Sequence, residues 1–216
     1  MNDRMPYLYL AAVKDELARA YEKTFAGVDR VEITRDDFAS FMNRHPDVDG
    51  IVSPANSFGL LTGGFDKAIR EYFGMELQKA VREKIQTEWF GEQTVGTSMA
   101  LDIPGNPGKK LIHTPTMRTP SVILDYQVVY LCMRSALMAA IEEGTEALLV
   151  PAFGGGAGKV PAEVIARNMR SAYDQIKGQL NEPHMAVFRT SIRILHHGIE
   201  AVSEEQSDGW MERWQN

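Results

Sequence analysis

Residues Ala147 to Pro161 read ALLVPAFGGGAGKVP. The four apolar residues ALLV are too few for a helix and stop at a proline, so they read as a short strand. They are apolar throughout and do not alternate, which implies burial on both faces inside a parallel sheet. The glycine-rich segment Pro151 to Pro161 follows. Beyond it Val164, Ile165, Asn168, Met169, Ala172, Tyr173 and Ile176 trace one face of a helix. Strand, glycine loop and helix form the repeating unit of an open α/β sheet, whose ligands bind beyond the carboxyl ends of the strands.

The same unit recurs upstream. Tyr7 to Val13 (YLYLAAV) reads as a buried first strand, and Lys14 to Phe25 as a helix with Leu17, Tyr21 and Phe25 on one side. Gly27 ends that helix. Val28 to Ile33 alternates like a strand, and Thr34 is placed to cap a short helix carrying Phe38, Phe41 and Met42. Ile51 and Val52 begin another buried strand after the Asp49-Gly50 turn. The loop SPANSFGLLTGG spans Ser53 to Gly64, and a helix from Asp66 sets Ala68, Ile69, Tyr72 and Phe73 on one face. Glu92 to Ile103 and Lys110 to His113 read as strands around a PGNPG turn. HTPTMRTP, from His113 to Pro120, is a stiff loop. A helix from Tyr126 carries Val129, Tyr130, Met133, Leu137, Ala140 and Ile141. Strands alternating with helices predict a three-layer α/β/α sandwich with a mixed, mainly parallel central sheet. One domain is expected over 1–200. A C-terminal extension, 201–216, carries Trp210 and Trp214 as a docked helix or free tail.

Composition narrows the function. The 216 residues are 44% hydrophobic and 24% charged, the profile of a globular protein. Lys and Arg number 23 against 29 Asp and Glu, a net charge of −6, which argues against a general nucleic-acid footprint. No apolar run is long enough to span a membrane, and the N-terminal stretch is broken by Asp15 and Glu16, unlike a signal peptide. The single cysteine, Cys132, excludes an internal disulfide and a multi-cysteine zinc site. A reducing cytoplasm is the expected compartment. No ligand spacing of the HExxH kind is present, so no metal and no cofactor is expected.

Chemistry concentrates in the two glycine loops. Glycines let a backbone turn tightly and approach a ligand. Successive N–H groups near a helix N-terminus make an anion cradle. Two such loops facing each other would hold a pyrophosphate without any lysine. The P-loop pattern fails here, because its required glycine and hydroxyl positions fall at Phe153 and Val160. Each loop taken alone is equally readable as a plain strand-to-helix connection.

Val52 to Ile69, VSPANSFGLLTGGFDKAI, resembles the macro-domain segment VNAANSxLxGGGGVDGAI. PAFGGGAGKVP is similar to that family's PAISTGIYGYP, LIHT (Leu111 to Thr114) to its IHT, and VEIT (Val31 to Thr34) to its GDIT. Order and spacing agree over Val31 to Tyr173, about two-thirds of the chain. The PTMR run after His113 resembles a bacterial subgroup. The resemblance implies binding of ADP-ribose or an ADP-ribosylated macromolecule. It also implies, as an alternative, hydrolysis of ADP-ribosylated protein or O-acetyl-ADP-ribose.

Residue by residue, the resemblance gives Asn56 the distal ribose, with an Asx turn as its structural alternative. Gly63 and Gly64 line the first loop. Asp66, ten residues after Asn56, takes the place of the water-activating base, with helix capping as its alternative. Gly154, Gly155, Gly156 and Ala157 form the pyrophosphate turn. Glu32 stands where an aspartate accepts from the adenine amino group, and Ile33 beside it is a packing contact. The second-loop aromatic falls at Gly158, so Phe65 or Phe153 is left to supply a platform. Thr62 replaces a first-loop glycine. Outside the loops, His113 reads as a core histidine or a base, and Arg118 as a surface arginine or a phosphate contact. His196 and His197 would point to opposite faces of a strand.

Overall fold

The computed structural model describes residues 5–181. The boundary expected at residue 200, the 201–216 extension with Trp210 and Trp214, and the His196-His197 pair lie outside the described residues. In chain order the elements are β1 (Tyr7–Ala11), α1 (Asp15–Thr24), β2 (Val31–Thr34), α2 (Phe38–Arg44), β3 (Gly50–Ser53) and α3 (Gly64–Phe73). There follow α4 (Met75–Glu88), β4 (Met99–Asp102), β5 (Lys110–His113), α5 (Gln127–Glu142), β6 (Ala147–Val150) and α6 (Ala162–Asn181). The strands form one sheet in the order β2-β1-β6-β3-β5-β4. All neighbours are parallel except β4, which runs antiparallel to β5.

The alternation of side chains along each strand builds two cores. Leu8, Leu10, Val52, Ile112, Leu148 and Val150 face α1, α5 and α6, where Tyr21, Met133, Leu137, Ile165, Met169 and Tyr173 close the layer. Tyr9, Ile51, Leu111 and Leu149 face the other way, onto Phe38, Phe41, Ile69, Leu77, Val81 and Ile85 of α2, α3 and α4. This is why ALLV is apolar at every position: successive residues enter opposite cores. The expected three-layer sandwich and mainly parallel sheet are the observed ones.

Three local expectations are corrected. Thr34 ends β2 and caps nothing; Asp37 is the N-cap of α2, its carboxylate accepting from the Ser40 N–H at 3.0 Å. The strand expected over Glu92 to Ile103 is confined to Met99–Asp102, because the preceding residues form turns. α4 has no counterpart in the sequence reading: Gly74, at φ +93°, ends α3 and releases a second helix immediately. On α3 only Ile69 is buried. Tyr72 and Phe73 instead meet Phe38 edge-on at ring distances of 5.6 and 6.0 Å. Burying Ile69 is worth about 1.5–3 kcal/mol, and it fixes the helix that carries Asp66.

Candidate functional site

The chain departs outward from the middle of the sheet, from β1 to β2 on one side and from β3 towards β5 and β4 on the other. That reversal leaves a crevice over the carboxyl ends of β1, β6 and β3. Two cavities occupy it, of about 230 and 570 Å³. They share Gly64, Phe65, Ala152 and Gly156 and so form one bent cleft. The two glycine loops, some ninety residues apart in sequence, form its opposite walls.

Hydrogen bonds stiffen the first loop from end to end. The Asn56 amide donates to the Leu60 carbonyl at 2.8 Å, and its oxygen accepts from the N–H groups of Phe58 (3.1 Å) and Leu60 (3.4 Å). Asn56 is therefore an Asx-type clasp at the cleft wall. The strand alignment of β3 with β5 continues past their ends. Thr116 N–H donates to Ala55 O and Ser57 N–H to Met117 O, at 3.1 and 3.2 Å. The Leu61 N–H donates to buried Gln78 of α4 at 3.0 Å. Gly59 sits at φ +67° so close to α4 that a Cβ would stand 2.8 Å from Val81 Cγ1.

The second loop turns at Gly154, φ +77°, and Val160 N–H returns to Gly154 O at 3.1 Å. A strap at Thr119–Tyr126 crosses it. Ile123 N–H donates to Gly158 O at 2.9 Å, and the Ile123 side chain fills the space beside Gly158. A Cβ at Gly158 would fall 2.6 Å from Ile123 Cδ1 and 2.7 Å from Gly154 O. This explains why an aromatic is absent at that position: a neighbouring segment already occupies the space.

Among the residues singled out in the sequence, Asn56, Gly63, Gly64, Phe65, Asp66, Gly154, Gly155, Gly156 and Ala157 line the cleft. Phe153 does not: it is fully buried in the core under the loop, leaving Phe65 as the aromatic at the cleft. Gly158 is buried behind the turn. Glu32 and Ile33 are also elsewhere. Glu32 accepts from the Tyr7 hydroxyl at 3.2 Å, so its carboxylate points towards the amino end of β1, away from the cleft. Ile33 packs against the core. The β1–α1 turn and the start of α1 stand in the cleft instead, through Val13, Lys14 and Glu16. A polar turn directly after a buried strand was the available signal for it. Thr62, Thr116, Met117 and Pro120 complete the smaller cavity.

Asp66 lies in the first turn of α3, but the N-cap is Gly63 and no side chain caps the helix. Its Oδ1 accepts instead from Ser53 Oγ at 2.7 Å. Burial pushes the Asp66 carboxyl up to about 7, against the partial opposition of the Ser53 hydrogen bond. A carboxyl near neutrality at the floor of a cleft is matched to proton transfer at physiological pH.

The remaining candidates are structural. His113 is fully buried, its Nδ1 is 2.6 Å from Gln93 Oε1, and burial pushes it down to about 3, so it stays neutral. Arg118 is held bidentately by Glu92 at 2.6 and 2.9 Å and lies over the Phe58 ring. Burial raises the Cys132 thiol, leaving it unreactive. Among the described residues no cluster of three or more His, Cys, Asp or Glu is arranged for a metal, and no helix is long and apolar enough to cross a membrane.

The raised pKa is also a statement about stability. Between about pH 4 and 7 the folded state holds a proton on Asp66 that the unfolded chain has released, so stability falls as pH rises through that window. Asp66→Asn removes the penalty. The variant should be more stable than wild type at pH 8 by about 1–2 kcal/mol, a figure discounted for the open cleft, and equal to it near pH 4. Urea denaturation at the two pH values decides this; equal stability at pH 8 would mean the carboxyl is not destabilised by its surroundings.

A crevice at the carboxyl ends of the strands is where open α/β sheets place their ligands, and here two glycine loops wall it. The chain belongs to the macro domain family, a family that binds ADP-ribose: the family's Macro domain model matches residues 52–169. An uncharacterized protein of Aquifex aeolicus is 36% identical over 123 residues, covering 57% of this chain and 71% of that protein. The Oceanobacillus iheyensis macrodomain variant G-to-V, solved with ADPR, is 25% identical with a TM-score of 0.53, covering 62% of this chain and 72% of that one. The macrodomain of Mycobacterium tuberculosis DarG shares the fold at 20% identity and a TM-score of 0.52, over 61% of this chain and 84% of its own.

Proposed function

We propose that the chain binds ADP-ribose in the bent cleft, with the diphosphate held between the backbone of Gly64 and that of the Gly155-Gly156 turn. The observation that carries this reading is the convergence of both glycine loops on one crevice at the carboxyl ends of the strands. The larger cavity accommodates the adenosine half. There Glu16, rather than Glu32, is the carboxylate offered to the base. The smaller cavity takes the distal ribose beside Asn56 and Asp66. The Oceanobacillus structures support the assignment by spacing. Their replaced asparagine, glycine and aspartate stand seven and ten residues apart from the first, as do Asn56, Gly63 and Asp66.

A second reading, hydrolysis, is favoured by one observation: Asp66 is a recessed carboxyl pushed up to about 7 at the distal end of the cleft. Asp66 takes a proton from water, and the oxygen attacks the anomeric carbon of the distal ribose or an attached acyl carbon. The bond from that carbon to the departing oxygen breaks, releasing ADP-ribose and the protein carboxylate, or acetate. Backbone N–H groups hold the diphosphate and so fix the sugar over the base. The substrate class is ADP-ribosylated protein or O-acetyl-ADP-ribose.

Calorimetric titration tests the binding reading. ADP-ribose should bind with one site and a Kd of about micromolar, or roughly −8 kcal/mol. AMP, lacking the distal half, should bind at least tenfold more weakly. Absence of heat at millimolar ADP-ribose would sink the proposal.

A further inference from the structure

We propose that Ser53 is a positioning residue for the Asp66 base, holding one carboxylate oxygen so that the other serves the reaction. The proposal rests on the hydrolytic reading above. Ser53 is the last residue of β3 and is fully buried. Its own position is fixed from two sides. Its carbonyl accepts from the Thr114 N–H at 2.8 Å, and it stands in register with His113 on β5. From that rigid place its hydroxyl donates to Asp66 Oδ1 at 2.7 Å. The bond joins the end of β3 to the first turn of α3 and so closes the neck of the glycine loop between them, thirteen residues apart.

Two consequences follow from elementary chemistry. A hydroxyl that only donates to the carboxylate stabilises its ionised form, opposing the burial that favours the acid. It also spends Oδ1, leaving Oδ2 without a side-chain partner among the described residues and available to a water. The family segment quoted above carries asparagine at this place, and this chain carries serine. An asparagine amide is bulkier, and its donor sits further from the strand.

Among the described residues no charged neighbour contributes to the Asp66 shift. Around α3, Asp36 and Asp37 precede α2 and Arg44 ends it, and α4 carries Glu76, Lys79, Arg82, Glu83, Lys84 and Glu88. Lys67, Arg70 and Glu71 lie on α3 itself, and Lys14, Glu16 and Lys159 line the larger cavity. Arg44 pairs with Asp36, Lys67 with Glu71, Lys79 with Glu76, and Asp37 caps α2. His113, beside Ser53, is held neutral.

The test uses Ser53→Ala and Ser53→Thr in the full chain. NMR of the Asp66 carboxyl carbon reads its titration directly, without any need for turnover. Ser53→Ala should raise the midpoint by about one pH unit, and Ser53→Thr should restore it. The acid limb of the turnover profile should move upward with it, lowering kcat at pH 7 about fivefold while the ADP-ribose Kd stays within twofold. An Asp66 midpoint unchanged in Ser53→Ala overturns the proposal, as does a loss in Kd equal to the loss in kcat. Wild-type protein that binds ADP-ribose, shows the Ser53-dependent shift and turns nothing over would sink the hydrolytic reading instead.

Discussion

Asp66→Ala should abolish release of ADP-ribose from an aspartyl- or glutamyl-modified protein while leaving the affinity for free ADP-ribose nearly unchanged. Removing a positioned general base costs about 10²–10⁴ in rate. The binding half of the prediction follows from the diphosphate site proposed above, which is assigned to the backbone of Gly64 and of the Gly155-Gly156 turn and not to the Asp66 side chain. A neutral alanine even relieves a buried charge close to a negatively charged ligand. Wild-type turnover should itself climb through pH 7, because only the deprotonated carboxylate accepts the water proton and burial pushes that group up to about 7. A variant that hydrolyses as fast as wild type would remove Asp66 from the mechanism.

Gly156→Asp carries the largest expected effect on binding. Gly156 belongs to both cavities, and a Cβ there meets nothing within 4 Å. Its φ lies outside the left-handed region, so a side chain is accepted without backbone strain. The fold should therefore be untouched, with a melting temperature within about a degree of wild type. The new carboxylate would stand in the anion cradle, blocking the diphosphate and repelling it. Affinity for ADP-ribose should fall by about 10²-fold or more, roughly 3 kcal/mol or more. Affinity unchanged by this substitution, measured by the same titration, would place the diphosphate elsewhere. Gly154 is unsuitable for this test, since a Cβ there would stand 2.8 Å from Val160 Cγ2 at φ +77° and would damage the loop itself.

The fold was legible because its strands are buried on both faces and its helices are one-sided. ALLV, YLYLA and KLIH announce a covered parallel sheet by composition alone. α4 was not legible. Its apolar positions Leu77, Val81 and Ile85 begin only three residues after Gly74, which signals a helix end and conceals a helix start. Most of the lining of the candidate cleft was legible because tight turns need glycine, and glycine leaves a visible mark. The wall of the larger cavity was not, because both VEIT (β2) and the β1–α1 turn lie on the path out of the first strand, and only the folded arrangement shows which one opens on the crevice. Gly158 shows the opposite limit. Its missing aromatic reads as a gap in the sequence, yet Ile123, thirty-five residues earlier, fills the space.

A crystal structure of the chain with ADP-ribose would show where the diphosphate sits. The diphosphate should lie within hydrogen-bond distance of backbone N–H groups from both the Gly63-Gly64 and the Gly155-Gly156 segments, with the distal ribose against Asp66 and no lysine required to hold it. A diphosphate gripped by Lys14 and Lys159 at the surface, with the crevice between the loops left to solvent, would contradict it.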